Sequence, residues 1–256
     1  MKNSNERRNQ IVQLLQKNGA MTTQRLSELL KVTPATIRRD LDFLENVGTL
    51  TRSWGRASLT PSVNVAPPTA VREERFMDDK KRIAEFAAQF VQAGDSIILD
   101  SSTTVLAMAD NLKSISPLSV VTNFIPVAYA FANSSISLQY TGGFFENDMM
   151  SLIGPDCETF FRSISVSKAF IGTTSVRASQ GFAVCSPFQS QVKRCMIEAA
   201  REVYLLMDPS KVDAFGINQF ANFRDIDYLI TTRPLSPSLE EQMREAGMKI
   251  LYADRM

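Results

Sequence analysis

The sequence predicts an α/β protein in two parts: a winged helix-turn-helix at the N-terminus and a larger C-terminal domain in which strands and helices alternate. Three observations carry this. Residues 5–47 show three helical periods in close succession. Residues 58–71 hold three prolines among Ser, Thr and Asn, a composition unsuited to a regular helix or a central strand. From residue 78 onward, short β-rich runs recur between helical stretches, the pattern of a mainly parallel sheet covered by helices.

Each element has a local reason. Ile11, Val12, Leu14 and Leu15 share one side of a helix over residues 5–18, closed by Asn18-Gly19. A second helix is expected after Thr22-Thr23, with Leu26, Leu29 and Leu30 turned inward. The third opens at Thr33-Pro34, a hydroxyl cap followed by a proline in the first turn, and runs to about Val47, where Gly48 stops it. Thr49-Leu50-Thr51-Arg52 and a turn near Gly55 are expected to form a small wing, with Trp54 read as packed against it, the alternative being a place beside Arg56 against the backbone of a bound nucleic acid. The boundaries are then a head at 1–57, a linker at 58–77 and a body at 78–256. In the body, the strand candidates are Ser96–Asp100, Leu118–Thr122, Ile136–Thr141, Lys168–Gly172, Val203–Met207, Tyr228–Thr231 and Met248–Tyr252. Asp78-Asp79-Lys80-Lys81-Arg82 is expected to cap and solvate the first body helix.

Composition narrows the function classes. Hydrophobic residues make up 44% and charged residues 21%, near the globular average. No apolar run approaches the roughly 18 residues of a membrane span, and the N-terminus lacks an apolar leader core, so a cytoplasmic protein is expected. Cys157, Cys185 and Cys195 show no Cys-x-x-Cys spacing, and the chain has no histidine to join them as metal ligands. They read as packed, reduced thiols, and neither metal nor cofactor is expected. The missing histidine also removes the commonest general base. No catalytic residue is nominated, although Asp100 and Asp208 remain available as bases.

Charge is unevenly shared. Residues 1–60 hold ten Lys/Arg against five Asp/Glu, a net of +5, which leaves −4 for the remainder of a chain whose total is +1. At about 100° per residue, Ile37, Leu41 and Leu44 form a buried stripe while Arg39 points away, flanked by Arg38 and with Ala35 on the same outer face. A basic ridge on the third helix suits the major groove of double-stranded DNA. The alternative is a pair of solvated arginines matched with Asp42 at helical spacing. The wing arginines Arg52 and Arg56 favour the DNA reading, as do Thr33 and Thr36 at the start of the helix.

In the body, Ser96-Ile97-Ile98-Leu99 ends in Asp100-Ser101-Ser102-Thr103-Thr104, after which Leu106, Ala109 and Leu112 imply a helix. Strand, hydroxyl-rich loop and helix start can surround a phosphate, although Ser and Thr are also ordinary caps. Lys211, in Asp208-Pro209-Ser210-Lys211, follows the carboxyl end of a strand, where open α/β sheets gather ligands.

The run Val32-Thr33-Pro34-Ala35-Thr36-Ile37-Arg38-Arg39-Asp40-Leu41, followed by Leu44-Glu45 and Gly48, closely resembles the signature of DeoR-type regulators. The family usually continues with a His-Gly-Gly-Ala wing, where this chain has Trp54-Gly55-Arg56-Ala57. The resemblance extends along nearly the whole chain. It matches the family's Asp-x-Gly-Ser/Thr-Thr loop, with Ser102 in place of glycine, and its Thr-Asn and Gly-Gly turns, here Thr122-Asn123 and Gly142-Gly143. It also matches the lysines Lys193 and Lys211.

What the resemblance implies is a repressor of a sugar-metabolism operon, released from operator DNA by a phosphorylated sugar and working as a homodimer or homotetramer. The effector site would comprise Asp100, Ser101, Ser102, Thr103, Thr104, Thr122, Asn123, Gly142, Gly143, Lys193, Asp208 and Lys211. It implies a C-terminal sensor domain similar to ribose-phosphate isomerases, which raises the rival expectation of an isomerase-like enzyme. No Asp or Glu occurs between Glu158 and Glu198 to serve as its base.

Overall fold

The computed structural model describes residues 4–46, 50–53, 55–59, 69–214 and 216–253. The chain divides into two compact units, Met1–Arg75 and Phe76–Met256.

The first unit runs α1 (Ser4–Asn18), β1 (Met21–Thr22), α2 (Thr23–Leu30), α3 (Pro34–Asn46), β2 (Leu50–Ser53), β3 (Arg56–Leu59) and α4 (Thr69–Glu74). Its core holds most of the set the helical periods predict: Ile11, Leu26, Ile37 and Leu41 are fully buried, with Leu15, Leu44 and Leu50 beside them, whereas Leu29, expected to turn inward, is 42% exposed because Leu26 and Leu30 carry the inner face of α2. Burial of each contributes roughly 1.5–3 kcal/mol. Thr22 caps α2 by accepting the Arg25 N–H at 3.1 Å, and Thr33 caps α3 by accepting the Thr36 N–H at 3.3 Å. Asp40, on the inner side of α3, is 2% exposed and takes hydrogen bonds from Arg7 Nε at 2.5 Å and Arg8 Nε at 3.1 Å, which fastens α1 to α3.

A three-stranded antiparallel sheet of order β1-β3-β2 completes the unit. Part of the stretch 58–77 expected as a linker is regular structure. Ser58 and Leu59 complete β3, its central strand, because Leu50 pairs with Leu59; Thr69–Glu74 is helical; and the next helix starts at Met77. Gly48, Trp54 and residues 60–68 lie outside the described residues.

The second unit contains α5 (Met77–Ala88), β4 (Ser96–Leu99), α6 (Thr103–Leu106), α7 (Ala109–Leu112), β5 (Ser119–Thr122), α8 (Ile125–Phe131), β6 (Ser137–Tyr140), β7 (Phe144–Glu146), β8 (Ser151–Ile153) and α9 (Pro155–Arg162). It continues with β9 (Val166–Gly172), β10 (Ser175–Arg177), β11 (Gly181–Val184), α10 (Pro187–Glu198), β12 (Ala200–Leu206), β13 (Asn218–Ala221), β14 (Tyr228–Thr231), α11 (Pro237–Glu245) and β15 (Lys249–Tyr252). All seven predicted strand runs enter one parallel sheet of order β15-β14-β12-β9-β4-β5-β6. Successive strand residues face opposite sides. Ile98, Ala169 and Leu205 join one core with α9, α10 and α11, while Ile97, Phe170 and Tyr204 join the other with α5, α7 and α8.

Three features depart from expectation. The single helix expected after residue 103 is broken into two single turns, α6 and α7. The sheets β10-β11-β13 and β7-β8 were not foreseen. In the run at 78–82, Asp79 and Lys80 are buried rather than solvated, and Asp79 accepts a 2.8 Å hydrogen bond from Thr232 Oγ1 beyond the end of β14.

The strand order fixes the place of a site. From β4 the chain moves outward to β5 and β6, then returns to β4's other side and proceeds through β9, β12, β14 and β15. The crossovers therefore diverge at the β4–β9 seam, and the crevice beyond the carboxyl ends of strands at such a switch point is where open α/β sheets bind ligands.

Candidate functional site

The seam is built from residues that immediately follow the strands. Asp100, fully buried at the end of β4, accepts the Gly172 N–H at 2.9 Å from the end of β9. Lys193 of α10 forms a buried ion pair with the same Asp100 oxygen and donates to Gly172 O at 2.9 Å. A carboxylate and an ammonium thus share the interior, each hydrogen-bonded, the condition under which buried charges are tolerated.

Gln189, one helical turn before Lys193, extends the network: Ser101 Oγ donates to its carbonyl at 3.0 Å, and its amide donates to Glu146 Oε2 at 2.6 Å and Ser151 Oγ at 2.8 Å. Ser102 caps α6 by accepting the Thr104 N–H at 3.3 Å. A Cβ on Gly172 would overlap Ser102 Oγ and Cβ, so the glycine is what admits a serine at 102. Since α6 is one turn long, it contributes little dipole, and anion binding there would rest on hydroxyls and N–H groups.

The remaining nominated residues arrange themselves around this seam. Thr122 donates to Leu99 O at 2.6 Å and accepts the Phe124 N–H at 3.1 Å, and Asn123 donates to Leu152 O at 2.7 Å. Thr103 and Thr104 are buried beside Asp100 in the chain. Gly143, at φ +127, lies against Ile153 O, where a Cβ would collide, while Gly142 faces the start of α9 near Asp156. On the other side, Asp208 is fully buried beyond β12; its Oδ1 accepts hydrogen bonds from Ser210 N at 3.0 Å and from Ser210 Oγ. Lys211 Nζ stands 3.8 Å from Asp208 Oδ2, an ion pair too long for a hydrogen bond. Asp208 Oδ2, Thr231 Oγ1 and Asn123 Oδ1 are buried and accept no hydrogen bond among the described residues.

Sequence reasoning missed Gln189 and Gly172. An amide inside a helix and a glycine at a strand end have no chemical signature until topology brings them to Asp100. The cysteines are all buried, and burial pushes the Cys157 thiol up to about 11.

In the first unit, Arg38, Arg39 and Ala35 are exposed on α3, opposite the Ile37–Leu41–Leu44 stripe. Among the described residues neither arginine has an ionic partner. Asp42, the partner the solvated reading would assign them, instead binds Arg52 at 2.5 Å. Arg52 is also held by Glu45 at 2.6 Å, and this hydrogen-bonded guanidinium holds the Glu45 carboxyl below its ordinary value. Arg52 is thus engaged in joining the wing to α3, and Arg56 donates to Ala20 O at 3.1 Å. Of the four nominated arginines, only Arg38 and Arg39 are free of such bonds.

Among the described residues, no helix is long and apolar enough to cross a membrane, and no group of His, Cys, Asp or Glu is placed to hold a metal. Comparison with known proteins matches residues 7–63 to the DeoR-like helix-turn-helix domain and residues 75–233 to the DeoR C terminal sensor domain. The uncharacterized HTH-type transcriptional regulator YulB of Bacillus subtilis is 32% identical over 246 residues, covering 96% of this chain and 95% of that protein. The transcriptional repressor GlcR of Bacillus subtilis is 30% identical over 246 residues, with 96% and 95% covered. A solved ribose 5-phosphate isomerase A from Methanocaldococcus jannaschii overlaps 53% of this chain and 54% of its own, at 17% identity and a TM-score of 0.39, too loose a likeness to carry chemistry across. Matched in both units and along nearly its whole length, the chain belongs to the DeoR family of helix-turn-helix transcriptional regulators.

Proposed function

We propose that this protein represses a sugar-metabolism operon by binding double-stranded operator DNA, and that a phosphorylated sugar at the β4–β9 seam releases it. The observation that carries the reading is the division of cations: Arg38 and Arg39 stand exposed and unengaged on α3, whereas Lys193 is buried against Asp100 at the topological switch point. Relatives named for such roles include GlcR and the putative aga operon transcriptional repressor of Escherichia coli O157:H7.

The ligand chemistry follows from what the strand ends offer. Lys193 is neutralised by Asp100, so Lys211, partly exposed and only loosely paired, is the cation that meets a phosphate, with Ser101, Thr103 and Thr104 as further donors. Asp208 Oδ2 is a buried acceptor in need of a donor, which a sugar hydroxyl supplies. Binding rather than turnover is favoured because one Asp100 oxygen is already held by the Lys193 ammonium and the Gly172 N–H, and the open oxygen of Asp208, the other carboxylate at the strand ends, is assigned to a sugar hydroxyl. Two heads in a homodimer or homotetramer would read half-sites about 34 Å apart.

Linkage supplies the test. If a sugar phosphate weakens operator binding by some factor, operator must weaken sugar-phosphate binding equally, commonly about 5–150-fold. Calorimetric titration of sugar phosphates into the protein alone and into its operator complex should give a weaker constant for the complex. Equal constants for every ligand that binds, or conversion of the ligand to product, would overturn the proposal.

A further inference from the structure

We propose that the sheet edge formed by β6, with α8 and β7 beside it, is the surface on which a second copy of this chain packs. Residues 114–145 contain no Asp, Glu, Lys or Arg, although these make up 21% of the chain. That run supplies β5, α8, β6 and the start of β7.

β6 ends the seven-stranded sheet, and among the described residues no strand pairs with its outer edge. Ser137, Gln139 and Tyr140 of this strand are exposed. Sheet edges that meet water are ordinarily guarded by charge, especially lysine; the opposite edge strand, β15, begins with an exposed Lys249. β6 has no such guard. The neighbouring surface is apolar instead: Tyr129 on α8 is 83% exposed and Phe144 on β7 is 71% exposed, with Phe145 and Met150 also outside. A hydrogen bond of 3.0 Å from Ile125 N to Met150 O joins the β7–β8 hairpin to the start of α8, so these side chains belong to one end of the unit. Exposed Tyr and Phe within a charge-free run are the composition of an interface core, and Glu146 with the exposed Asp148, at the turn of the hairpin beside Met150, belong to its polar rim.

The occupant is a second copy because this face complements itself. Across a two-fold axis each residue lies near its own counterpart, where a charged residue meets its like. An uncharged face avoids that repulsion and offers no charge to attract a different protein. The demand for two copies comes from the operator reading, since each chain has one recognition helix; the position of the surface does not.

The test uses the full chain without DNA, so that its result is independent of operator binding. Sedimentation equilibrium should show a dimer or a higher even oligomer. Tyr129→Glu and, separately, Gln139→Glu, both at exposed positions, should raise the dissociation constant by about tenfold or more, with thermal melts by circular dichroism showing that each variant is folded. Ile217→Glu, at an exposed apolar residue outside the face, should leave association unchanged. A wild-type chain that stays monomeric, or an oligomer that both edge variants leave intact, would overturn the proposal.

Discussion

Arg39 on α3 and Lys193 on α10 are both cations, yet Arg39 is exposed with no ionic partner among the described residues, while Lys193 is 4% exposed and bonded to Asp100 and Gly172. The contrast separates two uses of charge. A hydrated guanidinium can exchange water for a phosphate or a base edge, in a salt-dependent way. A buried ammonium has already met its counter-charge, and here it ties the ends of β4 and β9 together.

The largest effect that would break this contrast is expected at the buried pair. Asp100→Ala should cost about 3–5 kcal/mol, because it leaves Lys193 buried without a counter-charge, and Asp100→Ala with Lys193→Met should recover much of the loss. Urea denaturation followed by circular dichroism measures both; a double variant no better than the single one would show that the pair does not act as a unit.

A smaller effect is expected at Gly172→Ala, whose Cβ would run into Ser102. Crowding of this kind costs about 1–3 kcal/mol. Adding Ser102→Gly should relieve it, since the collision is with that side chain, and the same denaturation series reads the relief.

On the exposed side, Arg39→Ala should weaken operator binding by about 1–3 kcal/mol and narrow the ratio of specific to random-duplex affinity. Arg52→Ala should weaken operator binding less, because its guanidinium is already spent on Asp42 and Glu45. Binding measured at several salt concentrations on both duplexes decides it; equal losses for the two variants would erase the distinction between free and engaged arginines.

Much of this was legible in the sequence. The five inner strands of the seven-stranded sheet are apolar over most of their length because parallel strands are covered on both faces, and the head declared itself through Thr33-Pro34 and the Ile37–Leu41–Leu44 stripe. Most of the illegible parts share one physical cause: they depend on partners far away in the chain. β11 pairs with β13, two-residue β1 pairs with β3, and neither has a period to detect. The ion pairs of Arg52 with Asp42 and Glu45 were hidden for a different reason: nothing in the residues between them reveals that the wing folds back onto α3. Distance in the chain again hides Gln189, whose three partners lie between 38 and 88 residues distant. Asp100 was found because it ends a strand, whereas Gly172, which bonds it, was read only as the end of another.

Gln189 and Lys193 sit one turn apart on α10, and through them a single helix face grips the ends of β4 and β9 on one side and the β7–β8 hairpin on the other. Such a helix behaves as a rocker. Both grips come from one face of α10, so a rotation of the helix about its axis would strain them together. The hairpin's far side is the apolar edge at Phe144 and Phe145. A ligand at the proposed seam would therefore lie one helix away from that apolar edge.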